Sequence, residues 1–451
     1  MQLVFFDFLR KIWGCKREKH RVYYTVDEKT REVDGLTDIV TEQVPQKAVL
    51  VALDTGEYDV ETAFAELREL AKTAGAETVA ELCQKRDTPS AATCIGSGRA
   101  EELRDLCEQM EAEIVIVDRE LTATQQRNLE DIVGKPIIDR TTLILDIFAA
   151  RARSAEGRIQ VELAQLQYRL PRLSGQGVGL SRLGGGIGTR GPGETKLESD
   201  KRHIRRRISA LKEQLAEVEK RRENLKDHRK KTGISTVALV GYTNAGKSTL
   251  LNYLTDAGVL AEDMLFATLD PVSRGLKLPD GRQVLLIDTV GFVRRLPHHL
   301  VNAFRSTLEE AVEADVILNV CDAASEEAAE HFAVTKGLLE ELGCGDKPMI
   351  AVLNKCDKAL PPYPHTDAQT VCISAKTGEG VDTLLKAVAA ALPPDRRRVT
   401  LLLPFKEGAL AGRCRKDGAV ESEEYVAEGL RMTVTLGNPL LDLVEPYIVE
   451  E

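Results

Sequence analysis

Residues 241–249 of this 451-residue chain read Gly241-Tyr242-Thr243-Asn244-Ala245-Gly246-Lys247-Ser248-Thr249, and this stretch decides the fold. It fits the pattern G-x-x-x-x-G-K-[ST], whose glycines let a loop curl so that its backbone N–H groups point at phosphate oxygens. An apolar run at 234–240 precedes the loop and a helical pattern at 249–255 follows it, which is the strand–loop–helix context that the motif requires. We therefore predict a nucleotide-binding loop in which Lys247 contacts the β- and γ-phosphates and Ser248 binds Mg²⁺.

Three further motifs identify the nucleotide as GTP or GDP. They are Asp288-Thr289-Val290-Gly291, Asn354-Lys355-Cys356-Asp357 and Ser374-Ala375-Lys376, and each follows an apolar strand pattern. A carboxylate at Asp357 can accept hydrogen bonds from guanine N1–H and from the exocyclic amine, which adenine does not offer. A polar site of this kind discriminates strongly, because the wrong base leaves its groups unpaired. Four motifs in this order on alternating β/α segments predict a GTPase domain.

The other residues of these motifs receive specific roles. Asn354 is expected to steady the edge of the base, Lys355 to cover the ring, and the Ala375 N–H to donate to guanine O6. Asp288 is expected to supply the carboxylate on the Mg²⁺ side, through a water molecule. The Gly291 N–H is expected to sense the γ-phosphate.

The sequence carries the charged groups for hydrolysis but no group that places the attacking water. Thr268, within Phe266-Ala267-Thr268-Leu269-Asp270-Pro271, stands where a Ras-like GTPase carries the threonine that closes on Mg²⁺ and the γ-phosphate. Where such an enzyme has a water-placing glutamine, this chain has Phe292, so we predict slow intrinsic hydrolysis that a partner or an ion completes. Asn244 either holds K⁺ near the phosphates or merely tolerates the turn, and both remain open. The predicted catalytic residues are Lys247, Thr268 and Gly291.

Composition limits the compartment and the partners. Nine cysteines are scattered without a C-x-x-C pair, which indicates free thiols in a reducing cytoplasm. No apolar run reaches the roughly 18 residues of a membrane span, so we expect a cytoplasmic protein without one, monomeric when free. The net charge is −10, yet residues 151–231 hold 21 Lys and Arg against 10 Asp and Glu. Such a basic island on an acidic protein is typical of contact with a nucleic-acid backbone.

The patterns predict a multi-domain α/β architecture. Residues 1–46 form an irregular extension, 47–150 a small parallel α/β domain, 151–232 a helical hairpin, 233–394 the GTPase domain and 395–451 a small α+β domain. In the N-terminal domain, strand patterns at 48–53, 78–82, 114–117 and 136–138 alternate with helical patterns at 60–73, 100–110 and 124–132. In the GTPase domain, Asp280-Gly281 predicts a turn that pairs the second and third strands antiparallel.

The hairpin is predicted from two apolar seams. Ile159, Leu163, Leu166, Leu170 and Leu173 share a 4-3-4-3 spacing with Ile204, Ile208, Leu211, Leu215 and Val218. Pro171 is expected to end or kink the first helix near Arg169.

The loop between the two helices is rich in glycine. Nine of the nineteen residues 175–193 are glycine, and ordering such a loop alone costs roughly 1–2 kcal/mol per residue. We expect it to be mobile until a partner holds it, with a plain flexible linker as the alternative. Arg172, Arg182 and Arg190 favour contact with an irregular RNA surface.

One segment of this loop resembles a known family. Residues 185–198, Gly-Gly-Ile-Gly-Thr-Arg-Gly-Pro-Gly-Glu-Thr-Lys-Leu-Glu, followed by Arg205 to Arg207, resemble the hallmark of HflX-type GTPases, and segments 266–271 and 288–292 match as well. The resemblance covers roughly residues 47–445. It implies a family-specific N-terminal domain, a helical hairpin, a GTPase domain and a small C-terminal domain.

The resemblance also implies a partner and an action. HflX-type GTPases bind the large ribosomal subunit and its rRNA, with the hairpin loop near the peptidyl transferase centre. In the GTP state they separate stalled or stressed ribosomes into subunits. Some relatives bind ATP through the N-terminal half, where Gly96-Ser97-Gly98-Arg99 matches a family motif, so ATP is a further candidate ligand.

Two other functions stay open at the level of the sequence. One is a signalling GTPase whose hairpin binds a protein, and the other is an ATP-using RNA remodelling enzyme in which GTP is regulatory. Salt dependence separates RNA binding from protein binding, because contact with several phosphates weakens steeply as salt rises.

Overall fold

The structure is a computed structural model, and it describes residues 45–173, 192–232, 234–255, 265–266, 270–295, 297, 300, 310–358, 369–393 and 396–450. The expectations for the N-terminal extension, the glycine-rich loop, Arg182, Arg190, Ala267 and Thr268 lie outside these residues. The chain divides into two compact units, Met1–Ala150 with Pro171–Leu197, and Arg151–Leu170 with Glu198–Glu451.

The first unit is built on a four-stranded parallel sheet in the order β2-β1-β3-β4. Its elements are β1 (Gln46–Asp54), α1 (Val60–Thr73), β2 (Ala76–Lys85), α2 (Ser97–Gln109), β3 (Ile114–Val117), α3 (Ala123–Val133), β4 (Ile137–Asp139) and α4 (Arg140–Arg151). Thr122 begins α3 with a capping box, in which its hydroxyl and the Gln125 side chain satisfy two backbone N–H groups at the helix start. The predicted alternation of strands and helices is confirmed. Helix α4 was not predicted, because all its side chains from Leu143 to Phe148 are buried and leave no amphipathic period.

Two helices of the hairpin, α5 (Ala155–Arg172) and α6 (Pro192–Thr232), follow. They run antiparallel, since Arg207 pairs with Glu162 at 2.7 Å while Arg222, later on α6, pairs with Glu156, earlier on α5, at 3.1 Å. Pro171 was expected to end or kink the helix near Arg169; the helix does not end there but continues to Arg172, and the kink stays a prediction. Pro171 lies in the last turn, where a missing N–H removes only one helical hydrogen bond.

The buried stripe of α5 differs from the predicted seam. Its buried residues are Gly157, Gln160, Val161, Leu163, Ala164 and Tyr168. Of the predicted seam, Leu163 and Leu173 are buried, whereas Ile159, Leu166 and Leu170 are only half-buried. Several of these buried residues are small or polar, so the spacing of large apolar residues did not reveal them. On α6 the predicted seam holds: Leu211 is buried, the other four seam positions are half-buried, and their neighbours face solvent.

The GTPase part of the second unit is a six-stranded sheet in the order β10-β9-β8-β5-β7-β6. Its elements are β5 (Ser235–Gly241), α7 (Lys247–Thr255), β6 (Val272–Lys277), β7 (Gln283–Asp288), β8 (Val316–Asp322), α8 (Ala328–Glu341), β9 (Met349–Asn354), β10 (Gln369–Cys372) and α9 (Val381–Ala391). All strands are parallel except β6, which pairs antiparallel with β7 across the predicted turn at Gly281. Strand β5 lies between β7 and β8, so the loop after it opens at the point where the strand order reverses, the usual ligand site of such sheets.

The C-terminal part is an antiparallel sheet in the order β12-β13-β11-β14. It comprises β11 (Arg396–Leu403), α10 (Gly408–Asp417), β12 (Ala419–Val426), β13 (Gly429–Gly437), α11 (Asn438–Val444) and β14 (Ile448–Glu450). This mixture of strands and helices agrees with the small α+β domain that the sequence predicted over residues 395–451. In the described ranges, no helix has the length and apolarity that crossing a bilayer requires.

Candidate nucleotide site

The predicted motifs meet at one edge of the six-stranded sheet. Gly241 ends β5, Asp288 ends β7, Asn354 ends β9 and Ser374 follows β10. Because these strands are parallel, their carboxyl ends lie at the same edge. The fold therefore brings together motifs that are more than a hundred residues apart in the chain.

The phosphate loop has the backbone that its glycines predict. Gly246 has φ of +92°, and a Cβ there would lie 2.2 Å from Nδ2 of Asn354, so only glycine fits. Asn244 also has a positive φ, of +60°, which suits an asparagine in a turn. A side chain at Gly291 would meet Thr243 and the Lys247 ammonium, which keeps the two loops in close contact.

Lys247 is buried at the centre of the loop. Its Nζ donates hydrogen bonds to the carbonyl oxygens of Gly241, at 3.0 Å, and Tyr242, at 2.9 Å. Burial lowers the pKa of Lys247 to about 8, and the nearby Asp288 opposes this shift. A buried ammonium held by neutral carbonyls gains most from an anion, so this site favours a phosphate oxygen beside Nζ.

The neighbouring hydroxyl and carboxylate form a pair that suits a hard cation. The Ser248 hydroxyl donates to Oδ2 of Asp288 at 2.7 Å, and Asp288 is fully buried at the end of β7. Oxygen ligands of this kind are those that Mg²⁺ prefers in proteins. The donor set therefore fits the predicted assignment of Ser248 and Asp288, while Thr268 lies outside the described residues.

Asn354 links three segments of the site. Its Nδ2 donates to the carbonyl of Ala245 in the phosphate loop, at 2.9 Å, and its Oδ1 accepts from the N–H of Ala375, at 2.9 Å. The side chain is 2 % exposed. In this structure Asn354 therefore holds the loops together, and the Ala375 N–H, which the sequence assigned to guanine O6, donates to Asn354.

Asp357 is an exposed acceptor in the base-recognition segment. The Ser374 hydroxyl donates to its Oδ1 at 2.7 Å. This hydrogen bond, followed by the charges of Lys376 and Lys358, lowers the pKa of Asp357, so the carboxylate is ionised at neutral pH. Lys355, with φ of +66°, forms an ion pair with Asp322 at 2.7 Å, a partner at the end of β8 that the sequence did not indicate.

Phe292 points into the protein core. It is 2 % exposed and packs in a cluster with Tyr242, Ala311 and Ile317. Its backbone pairs with the phosphate loop, since Phe292 N–H donates to Gly241 at 3.1 Å and Phe292 C=O accepts from Thr243 at 2.7 Å. The position of the water-placing glutamine in Ras-like enzymes is thus filled by a side chain that is turned away from solvent.

A second group of residues braces the phosphate loop from behind. The ring of Tyr242 stacks on His331 of α8, with centroids 3.8 Å apart, and its hydroxyl accepts from the Arg294 N–H at 2.6 Å. Arg294 and His331 both contact Glu327, at 2.9 and 3.3 Å. Sequence patterns missed this group, because its members lie in three separate segments.

Of the predicted RNA contacts, only Arg172 is described. Its guanidinium donates to the carbonyl of Leu121 at 2.7 Å and forms ion pairs with Glu120 at 3.3 Å and Asp139 at 3.6 Å. Arg172, with 19 % of its side chain exposed, thus makes these contacts within the first unit, to which it belongs. A role for it in RNA binding stays a prediction.

Comparisons with known proteins show which family this sequence matches. Three family models match: GTP-binding GTPase N-terminal over residues 61–149, GTP-binding GTPase Middle Region over 151–229, and 50S ribosome-binding GTPase over 236–355. GTPase HflX of Caldanaerobacter subterraneus is 50% identical over 90% of this chain and 94% of its own length. GTPase HflX of Escherichia coli is 41% identical over 88% and 94%. A crystal structure of SsGBP with GDP is 25% identical, covering 76% of this chain and 98% of that one, with a TM-score of 0.45.

Proposed function

Because this chain belongs to the HflX family of GTPases and is a GTP-hydrolysing enzyme, we propose that it is a switch on the large ribosomal subunit that separates stalled or stressed ribosomes. The observation that supports this most is the basic surface of α6, in the same compact unit as the nucleotide site. The exposed lysine and arginine residues described on it are Arg202, Arg205, Arg206, Arg207, Lys212, Lys220 and Arg221. Such a row suits rRNA phosphates, and a ribosomal partner places the protein in the cytoplasm.

The nucleotide chemistry follows from the site. Lys247 would contact the β- and γ-phosphates, the Gly291 N–H would report the γ-phosphate, and Asp357 would select guanine. Ser248 and Asp288 would hold Mg²⁺, which when bound neutralises charge on the phosphate oxygens. Thr268 completes this set as a prediction from the sequence.

Hydrolysis is proposed to be slow until the ribosome completes the site. Phe292 supplies no group to orient water, and its side chain lies in the core. A second element must therefore come from the partner, or from K⁺ held near Asn244. Measuring turnover with and without large subunits, in K⁺ and in Na⁺, separates these two sources. Full-speed hydrolysis by the isolated protein in Na⁺ would contradict both.

The ribosome proposal is tested by co-sedimentation with large subunits in GDP and in a non-hydrolysable GTP analogue. The test variant carries Glu at Arg202, Arg205 and Arg206, and the control carries Glu at Lys406, Arg413 and Lys416, which are exposed near or on α10. We expect the α6 variant to bind at least tenfold more weakly, with a salt slope smaller by about 2–3, because three phosphate contacts are lost. Equal binding of the two variants would overturn the proposal.

ATP binding by the N-terminal domain stays a separate prediction. Residues 96–99 form the start of α2, where the Gly96 N–H donates to Gln84 at 2.7 Å and Arg99 donates to the Cys83 carbonyl at 2.7 Å. A Lys247→Ala variant, which disables the GTP site, shows whether ATP binds elsewhere. ATP binding that disappears with Lys247→Ala would assign it to the GTP site.

A further inference from the structure

Asp270 joins the segment of Thr268 to the start of the hairpin. It lies two residues after Thr268 in the chain. Its Oδ2 accepts from the backbone N–H groups of Arg153, at 2.8 Å, and Ser154, at 2.7 Å, and its Oδ1 accepts from the Ser154 hydroxyl. One carboxylate thus satisfies the two backbone N–H groups just before α5, and it also binds Ser154, whose hydroxyl accepts from an N–H group in the first turn of that helix.

Gly157 makes room for this carboxylate. A Cβ at Gly157 would overlap Oδ1 of Asp270 and would lie 3.1 Å from the Ser154 hydroxyl oxygen. The Gly157 N–H donates to that same hydroxyl at 2.8 Å. Glycine is a poorer helix former than alanine, by roughly 0.5–1 kcal/mol in the middle of a helix. The close approach of Asp270 is the physical reason for a glycine at this position.

A second carboxylate, Glu310, contacts the hairpin independently of Asp270. Glu310 follows the Asp288–Phe292 segment in the chain, and its Oε1 accepts from Arg222 of α6 at 2.8 Å. Arg222 also pairs with Glu156 in the first turn of α5, at 3.1 Å. Arg222 and Glu310 are 12 % and 6 % exposed at the side chain, so this contact is shielded from solvent. Two carboxylates of the GTPase part, Asp270 and Glu310, therefore contact the base of the hairpin.

The structure assigns to Asp270 the role of a positioning residue that couples the nucleotide state to the hairpin. Gly157 leaves the space that the Asp270 carboxylate occupies, and the Arg222–Glu310 pair is a second contact with the hairpin. This inference deepens the proposed function, because it names the contact through which GTP would prepare the hairpin for the ribosome. When bound GTP holds Thr268, Asp270, two residues later in the chain, has fewer accessible conformations. Binding of Asp270 to the start of α5 then costs less conformational entropy, so this contact is more stable in the GTP state. By linkage, a hairpin held in this arrangement would in turn favour GTP over GDP.

The test on the isolated full-length protein is hydrogen exchange at the amides of Arg153 and Ser154, the two donors to Asp270. We expect about tenfold slower exchange with a GTP analogue than with GDP, in the range of typical coupling factors. In Asp270→Ala and in Gly157→Ala this difference should disappear. Gly157→Ala is the sharper variant, because alanine strengthens the helix while its Cβ excludes the carboxylate. Ser154→Ala, which removes only the hydroxyl, should give a partial loss and serves if the other variants fold poorly.

A matched control is available within the same unit. The Asp315 carboxylate accepts from the Thr236 N–H at 2.7 Å and the Thr236 hydroxyl at 3.1 Å, at the amino end of β5, away from the nucleotide loops. Asp315→Ala removes a similar set of hydrogen bonds and should keep the nucleotide-dependent exchange at Arg153 and Ser154.

The results distinguish the coupling role of Asp270 from the proposed ribosomal function. The coupling role of Asp270 would be overturned if hydrogen exchange at Arg153 and Ser154 in the parent were the same with GDP and with the GTP analogue. It would also be overturned if the difference between the two nucleotides persisted in Gly157→Ala and Asp270→Ala. Nucleotide-dependent exchange without any co-sedimentation of the parent with large subunits would support the coupling and overturn the ribosomal function. In the expected outcome, both variants still bind GTP and large subunits. Large subunits then bind the GTP-bound and the GDP-bound variant about equally well.

Discussion

Replacing Asn354 with alanine is expected to weaken both the domain and its nucleotide site. The side chain is buried and satisfies the Ala245 carbonyl and the Ala375 N–H, each at 2.9 Å. An orphaned buried group costs about 1–3 kcal/mol, so two of them give at most about 6 kcal/mol. Because the freed loops lie near the surface and can relax toward water, we expect a loss of about 2–4 kcal/mol in the free energy of unfolding.

The assay is urea unfolding of the full-length protein with and without GDP. The transition that shifts to higher urea on adding GDP contains the nucleotide site, because a ligand stabilises the state that binds it. We expect this transition alone to move in Asn354→Ala. The affinity for GDP should also fall, since the phosphate loop and the base-recognition loop lose their common support.

Asn128 provides the matched control. Its Nδ2 also donates to a carbonyl, that of Ala92, at 2.8 Å, but this hydrogen bond is exposed. Asn128→Ala should cost less than about 1 kcal/mol, because water replaces the lost partner. If Asn354→Ala were as stable as Asn128→Ala and bound GDP as well as the parent, the bridging role of Asn354 would be refuted.

Three further outcomes are expected. Asp357→Asn places a donor opposite the guanine amine, so affinity should shift toward xanthine nucleotides, and unchanged GTP preference in competition assays would show that the base site is misassigned. Phe292→Gln should destabilise the domain by about 2–4 kcal/mol without accelerating hydrolysis, because the side chain faces the core; faster turnover would refute this orientation. Burial and Arg294 lower the pKa of His331 below its ordinary 6.5, so the unfolded state takes up the proton more readily. Stability should then fall as the pH drops below 6.5, and His331→Gln should show a flatter dependence of the urea midpoint on pH.

The local chemistry of this protein was predictable from its sequence. The loop at 241–249 fixes a run of backbone N–H groups through its own glycines, so its function is encoded in consecutive residues. The Asp280-Gly281 turn set the antiparallel pairing of β6 with β7 in the same way. The alternation of strands and helices also predicted the parallel sheets, because hydrophobic period and turn residues are local signals.

The tertiary structure decided which groups these segments satisfy. Asn354 was assigned to the base from the sequence, and the fold shows that it also links two loops. Arg172 was assigned to RNA, and the fold shows that it pairs with Asp139, while its RNA contact stays a prediction. The Asp270 carboxylate reaches Ser154, 116 residues earlier in the chain, and only the folded chain shows why residue 157 must be glycine. A motif specifies its own backbone, whereas a buried polar group takes whichever partner the packing of distant elements places beside it.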